Sequence, residues 1–486
     1  MPKEDKFERV LNKKDVFVLA FGAMIGWGWV VLSGEWILKA GTVGAMIAFA
    51  LGGLMVLFVG LTYAELTAAM PKCGGEHVFS YRALGRNASF ICTWAIVLGY
   101  ISVVAFEAVA FPTVMQYLFP SYMKVHLYSV AGFDIYLTWL LVGVISSILI
   151  AAVNYFGVKP AARFQGILTI VIAIIGLSLI TGSLFNGEVS NVQPLFKDGV
   201  NGIIAVAVMT PFMYVGFDVI PQAAEEMNIP FKKIGQILIL SVVMAVVWYV
   251  AIIGGVSLAM SSTQIETSEL VTADAMANVF FNSPIASKVL IIGGIAGILT
   301  SWNSFYVGGS RAIYSMAESG MLPSFLARLH PKYKTPCNAV ILVGVISSLA
   351  PFLGRKMLVW LSDAGGLTIV VAYLIVSISF LVLRKKEPEM SRPYKVKHGK
   401  LVGTIAVIMC VVLAIMYLPG SPAALVWPYE WGILIAWTVL GSVFFVWAKV
   451  ANKYEKQLEV MPRAMGDRPD VVPEGAVNFA FLGQFA

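Results

Sequence analysis

The strongest constraint on this chain is a succession of about twelve apolar runs, most of them close to the roughly 20 residues an α-helix needs to cross a bilayer. They fall at 15–38, 43–69, 88–118, 136–156, 162–183, 201–225, 234–260, 284–318, 338–354, 357–384, 400–418 and 427–449. The runs at 88–118 and 284–318 exceed a bilayer's thickness, which predicts tilt or an interfacial extension. Hydrophobic residues make up 59% of the 486 and charged ones 13%, against roughly 25% charged in soluble domains. No water-soluble core hides that much apolar surface. The expected fold class is therefore an all-α polytopic membrane protein of 12 transmembrane helices. The first run is too long for a signal-peptide core and lacks a small-residue cleavage site, so it is expected to remain as the first span.

Basic residues cluster on alternate sides of the runs. Lys13, Lys14, Lys72, Arg82, Arg86, Lys159, Arg163, Lys232, Lys233, Arg328, Arg384, Lys385 and Arg392 share one side. The other side holds few, chiefly Lys39, Lys124, Lys197, Arg355 and Lys356. The positive-inside rule then puts both termini in the cytoplasm of a multi-pass cell-membrane protein. It also accounts for the net charge of +7 without a nucleic-acid partner. The four cysteines, Cys73, Cys92, Cys337 and Cys410, lack metal spacing and read as free thiols. The tail after Lys449 is polar and ends in the apolar stretch 479–486; it reads as mostly disordered.

Two runs carry helix-breaking residues at their centres. The first reads Gly22-Ala23-Met24-Ile25-Gly26-Trp27-Gly28, three glycines within seven residues. A small-xxx-small pair such as Gly22 and Gly26 also serves close helix packing. The sixth reads Thr210-Pro211-Phe212-Met213-Tyr214-Val215-Gly216-Phe217-Asp218, where Pro211 lacks an amide donor and Gly216 permits dihedrals other residues avoid. Irregular backbone at membrane depth survives only where it is buried or lines a cavity. The two breaks lie five spans apart, so the second set runs inverted, and paired breaks of this kind point to a transporter's binding site. Amides at a half-helix N-terminus attract a carboxylate, and free carbonyls attract an ammonium.

The same residues resemble a known family. Gly22 to Gly28 is similar to the first-helix glycine signature of the amino acid–polyamine–organocation permeases. Tyr63-Ala64-Glu65 through Gly74-Gly75-Glu76, Phe212 to Asp218 with Ala223 to Glu226, Ser310-Arg311, and Arg392-Pro393-Tyr394-Lys395 follow in order. They are similar to the cationic-amino-acid-transporter-like branch. The resemblance implies a leucine-transporter-like fold: five plus five inverted helices, broken helices 1 and 6, and two appended helices. The expected division is 1–14 (cytoplasmic), 15–183 (first repeat), 184–384 (second repeat), 385–449 (loop and last two spans) and 450–486 (cytoplasmic tail). It further implies that the amides of Ala23, Met24, Gly26, Trp27 and Gly28 hold a substrate carboxylate. The carbonyls of Phe212, Met213 and Val215, around Gly216, would hold the ammonium, with Phe212 or Tyr214 as gate. Two departures stand out. Trp27 replaces the family's frequent threonine or serine, and so narrows the site or offers a π face to a cation. The fifth-span lysine that proton-coupled members carry is absent; that place falls near Ile172.

Other polar groups sit at membrane depth. Glu107 can read a substrate amine, carry a coupling proton, or bond a neighbouring helix as the neutral acid. Asp218 is a coupling candidate or a cap. Thr300 and Ser301 can complete a sodium site or bond back to their own helix. Asn303 is a candidate cavity residue. Asp363 reads as the N-cap of the tenth span, and Glu65 as a partner for a basic loop residue. The sequence contains no H-E-x-x-H, G-x-S-x-G or P-loop motif, which disfavours an enzyme or an ATP-driven pump, and no repeated pore motif of a channel. The expectation is a secondary transporter, symporter or exchanger, of a small amino acid, with a polyamine- or ethanolamine-like amine as alternative. It is expected to be a monomer with no accessory subunit and no cofactor beyond a coupling Na+ or H+.

Overall fold

In lipid a helix satisfies its own backbone groups, and its side chains sort by whether they meet hydrocarbon or other helices. The computed structural model, which describes residues 7–450, is built on that rule. In chain order come α1 (Lys13–Met24), α2 (Gly28–Ala40), α3 (Thr42–Ala69), α4 (Glu76–Leu84) and α5 (Arg86–Leu118). After a hairpin follow α6 (Leu137–Tyr155), α7 (Val158–Asn186), α8 (Gly199–Ala207), α9 (Thr210–Tyr214), α10 (Val219–Gln222) and α11 (Phe231–Ala259). The remainder are α12 (Ser262–Thr267), α13 (Val271–Val279), α14 (Pro284–Glu318), α15 (Cys337–Leu349), α16 (Met357–Lys386), α17 (Gly399–Met416) and α18 (Tyr429–Val450).

Among the described residues ten helical stretches are long and apolar enough to span a membrane, counting α8–α10 as one. The pair α1 and α2, bent by 40°, makes an eleventh, and Cys337–Leu353 is a shorter apolar helix. This is a multi-pass helical membrane protein. The long runs at 88–118 and 284–318 are single helices of 33 and 35 residues.

The helix α7 shows the sorting. Ile167, Ile170, Ile174 and Leu177, at helical spacing, are exposed to the lipid side. Gln165, Thr169, Ile172 and Gly176 are buried against the bundle. The exposed four are all large and apolar, whereas the polar and the smallest of these eight residues turn inward, as expected where lipid and not water is the solvent. The helix α5 lies at the centre, packed between α14 and α16. The peripheral α18 is held to it by stacked Trp94 and Trp437, ring centroids 4.2 Å apart. Each indole N–H donates to the other residue's carbonyl at 2.9 Å.

Two sequence expectations are corrected. The fold is not wholly α, because His126–Val130 and Phe133–Tyr136 form an antiparallel hairpin. Its strands include Tyr128, Val130, Phe133, Ile135 and Tyr136, aromatic or β-branched, and its turn uses positive φ at Ala131 and Gly132. Asp363 is not an N-cap: α16 starts at Met357, so Asp363 lies within its second turn. The tail expected to be disordered, 450–486, lies outside the described residues from 451 onward.

Ionic clusters tie the helices together at the basic face. Glu65, near the end of α3, accepts from Arg384 Nε at 2.9 Å and from the Val396 amide at 2.7 Å, with Arg392 Nε 3.0 Å away. Glu226 makes a bidentate pair with Arg311 of α14 at 2.8 and 2.9 Å, both side chains buried. The Glu226 carbonyl also accepts the amides of Val10 and Leu11, pinning the segment before α1. Motifs far apart in sequence thus meet in pairs. Removing one partner of a buried pair leaves an uncompensated charge, at a cost of about 3–5 kcal/mol. Glu65→Ala is accordingly expected to lower the thermal unfolding midpoint of the detergent-purified chain by several degrees. An unchanged midpoint would deny the cluster that role.

Candidate functional site

Each break arises where the sequence withdraws the means of continuing a helix. After Met24 the chain leaves α-geometry at Ile25 and resumes at Gly28, and Trp27 supplies no side-chain cap. The first amides of α2 therefore have no partner within the helix. In the sixth span Val215 is extended (φ −62°, ψ 141°) and Gly216 takes φ +138°. The Gly216 amide is recovered by Asp218 Oδ1 at 2.7 Å.

The two breaks pack on each other. A Cβ placed on Gly216 would lie 2.7 Å from Ala23 Cβ and 3.0 Å from the Met24 nitrogen. One on Gly28 would meet Met213 Sδ at 2.5 Å. On the other side, a Cβ on Gly26 would come within 2.7 Å of Ser301 Cβ and 3.3 Å of Glu107 Oε1. A Cβ on Gly297 of α14 would lie 2.8 Å from the Gly26 carbonyl oxygen. The glycine segment thus serves both readings left open by the sequence: it breaks the helix and admits close packing. The hydroxyl of Tyr249 on α11 joins the breaks, donating to the Met24 carbonyl at 2.8 Å and standing 3.2 Å from that of Met213.

Between the breaks is a cavity of about 20 Å³, room for one or two water molecules. Backbone and side chains of Ala23, Met24, Gly26, Trp27 and Gly28 line one wall, and Phe212, Met213 and Val215 another. Glu107 and Ser301 complete its polar part. Glu107 is buried and its Oε2 has no hydrogen-bond partner. Phe106 and Phe212, ring centroids 5.6 Å apart, stand between this cavity and a larger one of about 650 Å³. Phe106 also lines the larger cavity, with Glu35, Lys39, Asp363 and Glu430 among its walls.

Several sequence candidates lie elsewhere. Thr300 donates back to the Gly297 carbonyl at 2.9 Å, while its neighbour Ser301 faces the cavity. Consecutive helical residues point about 100° apart, so the two hydroxyls do not present side by side. Asn303, about 200° from Ser301, bonds Gln165 and receives the Asn154 amide, each at 3.0 Å. Tyr214, similarly opposed to Phe212 on α9, donates to the Phe49 carbonyl at 3.0 Å. Gly216 is used in packing, and Asp218 lies beyond the cavity wall. The Trp27 indole rests against Gly294 of α14, where any Cβ would collide with the ring. Its bulk is accommodated by that glycine.

Sequence reasoning missed Tyr249, Val103, Phe106 and Phe305, all of which line the cavity. Tyr249 carried a signal, a hydroxyl in the middle of the 29-residue apolar helix α11. The three apolar residues carried none.

Comparison with known proteins adds to this geometry. The amino acid permease family model matches residues 11–455. A model of the MCRA family matches residues 456–486, outside the described part. The chain is 28% identical over 420 residues to a branched-chain amino acid permease, BcaP, of Bacillus subtilis, covering 84% of this chain and 88% of that one. It is 27% identical over 465 residues to the methylthioribose transporter of the same organism, covering 92% and 95%. To the aspartate–proton symporter of that species it is 25% identical over 432 residues, covering 84% and 79%.

The packing of the breaks yields a prediction. Gly216→Ala adds a Cβ against Ala23 at a φ that side chains rarely adopt, so substrate-dependent transport in proteoliposomes is expected to fall at least about tenfold, the equivalent of 1.4 kcal/mol. Gly432→Ala, where a Cβ meets nothing within 4 Å, serves as the neutral control. Equal activity of both variants would dissolve the proposed contact.

Proposed function

This chain belongs to the amino acid permease family, within the amino acid–polyamine–organocation superfamily, and on that premise we propose that it is a secondary active transporter of a small amino acid. It works as a symporter or exchanger by alternating access across the cytoplasmic membrane. The observation that carries the reading is the pair of broken helices facing one another across a closed cavity. The N-terminal end of α2 offers amides to a carboxylate. The carbonyl ends of α1 and α9, where Tyr249 now donates, offer acceptors to an ammonium. The side-chain pocket is formed by Val103, Phe106, Phe212 and Phe305, which favours a small apolar side chain. The branched-chain amino acid permease among the relatives supports the same class.

The proposed topology counts Cys337–Leu353 as a ninth span, giving twelve. Spans one to five and six to ten form the inverted repeats within 15–183 and 184–384. Two more spans lie within 385–449, and the flanking segments 1–14 and 450–486 are cytoplasmic, as the basic loops favour. A cavity of about 20 Å³ is too small for any amino acid. The state described is therefore occluded, and admission requires Phe106 and Phe212 to part toward the larger cavity. At the opposite face the Glu65 and Glu226 ion pairs form the closure that must open for release.

A second reading, an amine without a carboxylate, is favoured by one observation, the unpartnered buried Glu107 Oε2. Sodium coupling through Thr300 and Ser301 is less favoured, since Ser301 lines the cavity and Thr300 does not.

The test is uptake and counterflow of labelled leucine, alanine, putrescine and ethanolamine in proteoliposomes, with sodium and proton gradients imposed separately. Saturable leucine or alanine counterflow is expected, unaffected by sodium. Transport of none of the four would sink the proposal; transport of amines alone, lost in Glu107→Gln, would establish the second reading.

A further inference from the structure

A second group of buried polar residues lies outside the substrate cavity, behind the sixth-span break. Glu76 begins α4, the short helix after the basic-face end of α3, and is fully buried. Its Oε2 accepts from Gln222 Nε2 of α10, and the Tyr100 hydroxyl lies 3.5 Å from its Oε1. Asp218, also fully buried, spends Oδ1 on the Gly216 amide and leaves Oδ2 without a partner. The hydroxyls of Tyr63 and Tyr373, fully buried as well, lie beside Glu76 and Asp218 respectively without closing a hydrogen bond. Gln222 Oε1 is unpartnered too.

The titratable groups facing the pair are Tyr63 from α3, Cys92 and Tyr100 from α5, and Tyr373 from α16, all neutral at ordinary pH. His77, next in the chain, turns its ring onto Ser89 and Thr93, and burial, then Lys72, lowers its pKa to about 3. Arg311 is committed to Glu226. Among the described residues no lysine or arginine pairs with either carboxyl.

Two carboxyls so placed cannot both ionise, because each desolvated charge raises the cost of the other. Burial, and after it the Asp218 charge, pushes the Glu76 carboxyl well above the usual carboxylate range. A proton on the pair removes one charge and turns its carboxyl from an acceptor into a hydrogen-bond donor.

We propose that Glu76 and Asp218 together bind the proton that is carried with the substrate. The inference rests on the transporter reading and adds its coupling ion. A proton is the ion this site suits, since it needs no ligand cavity. Asp218 holds the Gly216 amide, and Gly216 rests on Ala23 and Met24. The charge state of the pair therefore bears on the contact that locks both breaks together. The ionised pair takes up a proton from water on the outer side while that side is open, and in the occluded state the shared proton stays on the pair. When the basic-face closure opens, water reaches α4 and α10, the proton passes to it, and the ionised pair, now hydrated, favours the separated helices. One proton is bound and one released per cycle.

The experiment uses the purified full chain in proteoliposomes loaded with a pH-sensitive dye. Labelled leucine or alanine, whichever the parent moves, is followed both by counterflow and by accumulation under an inward proton gradient. The parent is expected to acidify the lumen on substrate addition. Glu76→Gln should retain counterflow within about threefold, yet lose gradient-driven accumulation and lumen acidification by at least about tenfold. Asp218→Asn, whose amide oxygen still accepts the Gly216 N–H, should show the same split and serves if the first variant misfolds. Counterflow by the parent without proton influx would overturn this proposal and leave the transporter reading intact. So would gradient-driven accumulation by both variants at the parent's level. Absence of any counterflow by the parent would overturn the transporter reading and this inference with it.

Discussion

Everything in this structure answers to one constraint. Hydrocarbon offers no hydrogen bonds, so a backbone amide or carbonyl left free at membrane depth costs several kcal/mol unless protein covers it. This chain leaves helical geometry twice, at Ile25–Trp27 and at Val215–Phe217, and only part of the groups so released is recovered locally. The surrounding helices are arranged to cover them. The helix α14 presses Gly297 onto the Gly26 carbonyl, α11 contributes the Tyr249 hydroxyl, and α5 contributes Glu107. The uncovered remainder is a small cavity onto which backbone ends of both breaks, Glu107 and Ser301 face.

The same constraint separates two sets of charged residues. At the basic face, Glu65 and Glu226 are buried with arginines, so their charges are compensated. Among the described residues, Glu107, Glu76 and Asp218 have no arginine partner. A carboxyl without a counter-charge in such surroundings takes up a proton or awaits a cationic ligand. Their positions assign different tasks: Glu107 lines the cavity, whereas Glu76 and Asp218 stand behind the sixth-span break.

Much of this was legible in advance for a definite reason. Lipid selects for apolar length, and length is a linear property, so the spans could be read with boundaries off by a few residues. Gly216 and the glycines at 26 and 28 were legible as breaks because backbone freedom resides in the residue itself. Glu65 was legible as an ion-pair partner, although its arginines, more than 300 positions later, were not. The failures share a cause. Thr300 and Ser301, or Phe212 and Tyr214, are equivalent in a one-dimensional reading, but helical phase turns one toward the cavity and the other away. Asn303 looked like a cavity residue until its phase placed it between α6 and α7. Trp27 looked like an obstruction in the site because the glycine that receives its ring, Gly294, lies in another helix.

The sequence by itself determined that the chain is a multi-pass helical membrane protein, where its helices break, and which family's motifs it carries. These follow from hydropathy, from local backbone freedom and from residue order. Only the tertiary structure decided which faces of the broken helices meet, that Tyr249 bridges their carbonyl ends, and that Glu76 and Asp218 lie together without a counter-charge. Those facts depend on the rotation of each helix against its neighbours. That rotation is set by side chains from distant segments packing at close range.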